Sequence, residues 1–186
     1  ASRAMTGAFI PYGAYWSTPF VKWQGSFAHL HSLAFCAWLA RRAMEARRID
    51  PALIDAGVLG TTVPQRGAFY GFPWVAALAG LPALAGPTIS QACATSVRCV
   101  ALAAGEVAAG ASACSLVLAA DRVSNGPQLY YPDPAGPGGT GEHESWVTGN
   151  FDRDPWTSQP MIATAENVAG RFGIGTSEQH EMVLHR

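Results

Sequence analysis

The sequence predicts an α/β fold, a layered domain with a mixed, largely parallel sheet around a buried helix. Three observations predict it. Between residues 8 and 120, short apolar runs of strand character alternate with longer runs of helical spacing, the element order of a layered α/β domain. Residues 94–110 are dominated by small and apolar side chains and carry only Arg98 and Glu106 as charges; a helix apolar all round is expected to be buried on every side. From Asp121 the composition changes: Pro127, Pro132, Pro134, Pro137 and five glycines between Gly126 and Gly141 mark a loop region. The expected division is 1–120 for the layered domain and 121–186 for a loop-rich remainder.

Residues 8–17 (AFIPYGAYWS) are aromatic and partly apolar and read as a strand with turn chemistry inside it. Residues 29–48 place Leu30, Leu33, Ala34, Ala37, Trp38 and Met44 close to helical spacing. Ile49-Asp50-Pro51 stops that helix, because the residue before proline avoids helical geometry. Residues 52–56 allow a short turn, and residues 58–63 (VLGTTV) read as a buried strand. Residues 72–80 form a short apolar helix closed by Gly80 and Pro82. Residues 87–90 are extended and deliver Cys93 to the start of the helix over 94–110, for which Gly110 is a stop. Residues 114–120 (CSLVLAA) read as another buried strand. Beyond the loop region two short helices are expected, over 163–172 and 177–185, with Thr176 as N-cap of the second and Gln179 at its capping-box position.

Composition narrows the function. Hydrophobic residues make up 49% of the chain and charged residues 13%, against about 25% charged in an ordinary soluble domain. A chain so poor in charge is expected to hide apolar surface against a partner. The net charge is −1, and the basic residues cluster only at Arg41, Arg42, Arg47 and Arg48 along one helix, which argues against nucleic-acid binding. That cluster reads as a solvated helix face or as a contact with a subunit or anion. No apolar run approaches the roughly 20 residues that span a bilayer, and residues 1–7 lack a secretory pattern. Cys36, Cys93, Cys99 and Cys114 show neither a CxxC pair nor zinc-site spacing. No metal is expected, and a reduced, cytoplasmic setting is.

Cys93, in SQACATSVRC, stands between a short strand and a helix. The positive end of a helix dipole and its unpaired N–H groups favour an anionic sulfur, and the thiolate is the reactive form of cysteine. An inert buried cysteine is the plain alternative. Cys36 and Cys99 lie inside helices and Cys114 inside a strand, where burial makes them small hydrophobes.

Four stretches, in order, carry a resemblance. Thr18-Pro19-Phe20 with Lys22-Trp23-Gln24-Gly25-Ser26-Phe27 resembles a TPFGKFGGSL-like opening. Cys93-Ala94-Thr95-Ser96 is similar to a nucleophile segment in which serine and glycine usually fill the last two places. Residues 121–127 (DRVSNGP) resemble ESMSNAP. Residues 161–172 (MIATAENVAGRF) resemble MGxTAENVA, with Ile162 where glycine is usual, and Ser177-Glu178-Gln179-His180-Glu181 continues it like REEQDE. On these segments the chain resembles the N-terminal half of the thiolase superfamily, with residues 121–186 as part of that family's loop domain.

The resemblance implies acyl transfer through a cysteine acyl-enzyme, between an acyl-CoA and either coenzyme A or an acetyl-CoA carbanion. It implies Cys93 as the nucleophile and Met161 as a residue lining the acyl pocket, core packing being the bland reading of a methionine there. Coenzyme A thioesters are the implied substrates, and no covalently bound cofactor is expected. The homo-oligomer or C-terminal half expected as partner would cover the apolar surface. The family places a histidine before that methionine, where this chain has Pro160, so one pantetheine contact is expected to be lost. Thr164, Ala165, Glu166 and Asn167 read as polar surface near a helix start. Thiolase chemistry also needs an activating histidine and a second cysteine, which the family carries in GHP and CxG segments. Neither segment occurs here, and none of His29, His31, His143, His180 and His185 falls in a catalytic family segment. A fragment of a longer enzyme, one subunit of a split enzyme and a remnant without turnover each fit. A non-catalytic docking scaffold and a condensing enzyme that uses a carrier protein stand as alternatives.

Overall fold

A computed structural model of the chain describes residues 7–185. Residues 1–6, part of the opening read as lacking a secretory pattern, lie outside the described residues. The chain divides into two compact units, Ala1–Gly126 and Pro127–Arg186.

The first described helix, α1, spans Ser32–Arg47. His31 caps its start, its Nδ1 accepting from the Ala34 N–H at 3.4 Å. At its end Arg48 turns left-handed (φ 55), and the Ile49 N–H reaches back to Met44 O at 3.0 Å, a closure that ends the helix ahead of Pro51. Strand β1 follows at Ala56–Gly60, α2 at Phe72–Leu78, β2 at Thr88–Ile89, α3 at Thr95–Ala108 and β3 at Ser115–Ala119. The three strands form one parallel sheet in the order β2-β1-β3.

Alternation along the central strand assigns its two faces. Leu59 packs with Leu33, Ala37, Met44, Phe72 and Val75 of α1 and α2. Val58 packs with Cys99 and Ala103 of α3. Gly57, second in β1, and Gly60 at its end let both layers come close. A Cβ at Gly57 would collide with the Phe72 ring, and one at Gly60 would stand 2.8 Å from Thr95 Cγ2 and 2.9 Å from Cys99 Sγ.

The structure corrects several sequence readings. Residues 8–17 form no strand; they run as irregular chain with a turn closed from the Ala14 N–H to Pro11 O at 3.0 Å. Arg47 holds this segment, donating from Nε to Gly13 O at 3.0 Å and stacking over the Trp16 ring. Helix α3 buries only the stripe Thr95, Cys99 and Ala103, whereas Val97 is 71% exposed. Within this chain the helix meets one sheet on one side, so an all-apolar composition does not enclose it. Cys114 lies just before β3 and is exposed, not buried inside a strand. The four arginines Arg41, Arg42, Arg47 and Arg48 are exposed, with Arg42 over the ring of Trp38.

The second unit contains an antiparallel hairpin that the prolines and glycines concealed: β4 (Gln128–Pro132) pairs with β5 (Gly141–Ser145). The turn between them is closed by Tyr130 Oη donating to Gly139 O at 2.8 Å. Helices α4 (Thr148–Asp152), α5 (Met161–Phe172) and α6 (Thr176–Leu184) follow. Thr176 is the first helical residue and Gly175 the cap, with no capping side chain, so the expected Thr176 cap is not formed. Among the described residues no helix is long and apolar enough to cross a membrane.

Candidate active site

The carboxyl ends of parallel strands are where α/β sheets present ligands and chemistry, and Cys93 lies just past one. β2 ends at Ile89, a turn of 3-10 helix covers Ala92–Ala94, and α3 begins at Thr95. The Cys93 thiol is exposed. The sequence reading of a cysteine at the opening of a helix therefore describes its local geometry, and it does not sit in a sealed apolar interior.

The turn that carries it is unusual in its backbone. Ala92 adopts φ 44, a left-handed geometry that costs an L-residue with a Cβ about 1–2 kcal/mol and persists where surroundings impose it. Hydrogen bonds within the turn flank it on both sides. Thr95 Oγ1 accepts from the Gln91 N–H at 2.7 Å and donates to Ala92 O at 2.7 Å. The Thr95 N–H also bonds to Ala92 O, and the Ala94 N–H bonds to Gln91 O at 3.0 Å.

The neighbouring strand ends are tied together by Asp121, which follows β3. Its carboxylate accepts from Thr61 Oγ1 (3.0 Å), the Thr62 N–H (2.8 Å), Thr62 Oγ1 (2.7 Å) and the Val63 N–H (2.9 Å). Next to it Arg122 donates to Leu30 O at 2.7 Å, and Asn125 Nδ2 donates to Ala28 O at 3.0 Å. Residues 121–126 thus belong to the first unit, where they are knit to residues 24–30.

The other cysteines differ in kind. Cys99 is fully buried against Val58, and burial pushes its thiol up. Cys36 packs beside the main core, and burial pushes its thiol up to about 11. Such thiols stay protonated and inert. Of the histidines in the first unit, His31 is committed at both ring nitrogens, Nδ1 to the Ala34 N–H and Nε2 to Arg66 O at 2.8 Å, and its ring meets Trp74 edge-on. Among the described residues no cluster of three or more His, Cys, Asp or Glu side chains could hold a metal ion.

In the second unit Met161 is the first residue of α5, after Pro160 at the N-cap, and is 37% exposed. The motif MIATAENVAGRF is the whole of that helix. Because the helix starts at Met161, Glu166 and Asn167 fall in its second turn, not at its start. Sequence reasoning missed Thr95 as a structural hub; its β-branched side chain beside a glycine-ended strand was the available signal.

The comparisons agree with this architecture. The family model described as "Thiolase, N-terminal domain" matches residues 14–185. An acetyl-CoA acetyltransferase of Paracoccus denitrificans is 28% identical over 181 residues, covering 97% of this chain and 46% of that protein. The chain thus spans about half the length of that curated relative. The crystal structure of the acetyl-CoA acetyltransferase of Bacillus anthracis superposes with a TM-score of 0.73 at 21% identity, over 87% of this chain and 41% of that one. Human mitochondrial 3-ketoacyl-CoA thiolase, solved in complex with CoA, superposes with a TM-score of 0.73 at 22% identity, over 90% and 43%. At these identities the superpositions show the fold.

Proposed function

The chain belongs to the thiolase family through its N-terminal domain, and from that membership we propose that Cys93 accepts an acyl group from a coenzyme A thioester. The Cys93 thiolate attacks the thioester carbonyl. The bond from that carbon to the coenzyme A sulfur breaks, coenzyme A leaves as a thiolate that takes up a proton, and a thioester remains on Cys93. The acyl group then passes to coenzyme A or to an acetyl-CoA carbanion.

One observation carries the reading: Cys93 is exposed in the turn that opens α3, beyond the carboxyl end of β2. The other cysteine at the surface, Cys114, precedes a strand and opens no helix. Met161 is proposed as a substrate-contacting residue on the strength of the α5 motif. Residues 121–186 are proposed as part of the family's loop domain. We further propose that the activating histidine and the proton-transferring second cysteine come from a C-terminal half, because this chain holds no GHP or CxG segment and spans 46% of its curated relative. The exposed apolar side chains, among them Val97 at 71%, Phe69 at 93% and Phe20 at 96%, support association with that half or with further copies. Four free cysteines suit a reducing compartment, and the cytoplasm is proposed.

The test is mass spectrometry after incubation with acetyl-CoA, on the chain alone and with its co-purifying second half. Acetylation at Cys93 that vanishes in Cys93→Ala is expected. Acetylation at Cys114 alone, or none in either preparation, overturns the reading.

A further inference from the structure

We propose that Thr95 is a positioning residue that sets the angle at which Cys93 meets its acyl donor; this rests on the reading of Cys93 as the nucleophile. Thr95 is 6% exposed, so its hydroxyl faces the turn and not solvent. That hydroxyl links two peptide groups on the approach to Cys93, accepting from the Gln91 N–H and donating to Ala92 O, each at 2.7 Å. Among the described residues these are the side-chain hydrogen bonds of the turn. They bracket Ala92, whose φ of 44 is unfavourable for alanine and needs to be imposed.

The far side of the same residue is fixed to the sheet. A Cβ on Gly60 would stand 2.8 Å from Thr95 Cγ2, so the methyl occupies the space which that glycine leaves open. The end of β1 therefore locates the Thr95 methyl, the Thr95 hydroxyl locates Ala92, and Ala92 directs Cys93. Serine at this position would keep the hydroxyl and lose the methyl seat. Valine would keep the shape and lose both hydrogen bonds.

The experiment uses the full-length protein and two readouts, acetylation of Cys93 by acetyl-CoA and alkylation by iodoacetamide. Cys114, also exposed, serves as reference within each molecule. Thr95→Val is expected to lower the Cys93-to-Cys114 alkylation ratio, and the acetylation rate, by about three- to tenfold, the range of one or two lost hydrogen bonds. Thr95→Ser is expected to stay within about twofold of the parent. Adding Ala92→Gly to Thr95→Val is expected to restore most of the loss, because glycine adopts a positive φ without strain. An unchanged ratio in Thr95→Val, a Thr95→Ser defect equal to that of valine, or no recovery with Ala92→Gly overturns the assignment. If Thr95→Val fails to fold, hydrogen exchange on the parent decides. The Gln91 amide is expected to exchange at least about tenfold slower than a free loop amide, and equal exchange overturns the proposal. Parent protein that never acetylates at Cys93 defeats the nucleophile reading; parent that acetylates alongside an unaffected Thr95→Val defeats only the role of Thr95.

Discussion

Gln24 and Asn125, 101 residues apart in the chain, are joined by a 3.0 Å hydrogen bond from Gln24 Nε2 to Asn125 Oδ1. Both residues hold left-handed backbone, at φ 56 and φ 51. The Gln24 N–H donates to Ser124 Oγ at 2.8 Å, and Asn125 Nδ2 donates to Ala28 O at 3.0 Å. Two segments that resembled the family separately in sequence are thus one structural unit. Asn125→Ala is expected to destabilise the protein by about 1–2 kcal/mol, the sum of two modest hydrogen bonds. A urea titration measures it, and a double-mutant cycle with Gln24→Ala isolates the pair. A coupling of zero in that cycle would remove the link.

Gly60→Ala is expected to cost about 1–3 kcal/mol, as overpacking does. The new methyl would stand 2.8 Å from Thr95 Cγ2 and 2.9 Å from Cys99 Sγ, both on short side chains of α3. The helix must then move off the sheet. Thermal melts read the loss, and Gly105→Ala, with open space around its Cβ, is the matched control, expected to be neutral or stabilising.

A thiol assay on native protein is expected to find Cys93 and Cys114 reacting quickly, while Cys36 and Cys99 react at full rate only after unfolding. Burial raises both protected thiols, Cys36 to about 11 from an ordinary 9.0. The folded state therefore keeps its protons longer than the unfolded state. The corresponding stability is complete below pH 9.0 and is lost as pH rises towards 11. Denaturation midpoints across that window test the sign, and a midpoint that rises would contradict it.

Asp55 links the start of β1 to the start of β3. Its carboxylate accepts from Ser112 Oγ at 2.6 Å, the Ala113 N–H at 2.8 Å and the Cys114 N–H at 3.1 Å. These bonds, that of Ser112 foremost, hold its pKa at about 2 against an ordinary 3.8. Protonation is thus harder in the folded state, and the stability it contributes is complete above pH 3.8 and lost as pH falls towards 2. Asp55→Asn is expected to flatten this part of the acid-denaturation curve. An unchanged curve would mean that the bonds hold the loop no better than water does.

Much of the first unit was legible in its sequence. The apolar spacing through Leu33, Ala37 and Met44 located α1, and Ile49-Asp50-Pro51 located its end. The position of Cys93 between an extended pair and an alanine-rich run located the turn that presents it. Other features were hidden because the signals conflicted. Gln128-Leu129-Tyr130-Tyr131 has strand chemistry, but the surrounding prolines and glycines read as loop. The aromatic residues 8–17 suggested a strand, yet among the described residues no strand pairs with them, and an unpaired stretch does not become a sheet.

What the sequence determined by itself is local: the period of each segment, the breaks between segments, the family its motifs spell, and which cysteine opens a helix. Only the tertiary structure decided that α3 is covered on one side, that Gly57 and Gly60 of β1 face Phe72 and Thr95 too closely for a Cβ, and that the Thr95 hydroxyl bonds to the peptide groups on either side of Ala92. The physical reason is range. Periodicity and capping act over a few residues and are written in neighbouring letters. Burial and steric fit are properties of surfaces that meet only once the chain has closed, as Gln24 and Asn125 do across 101 positions.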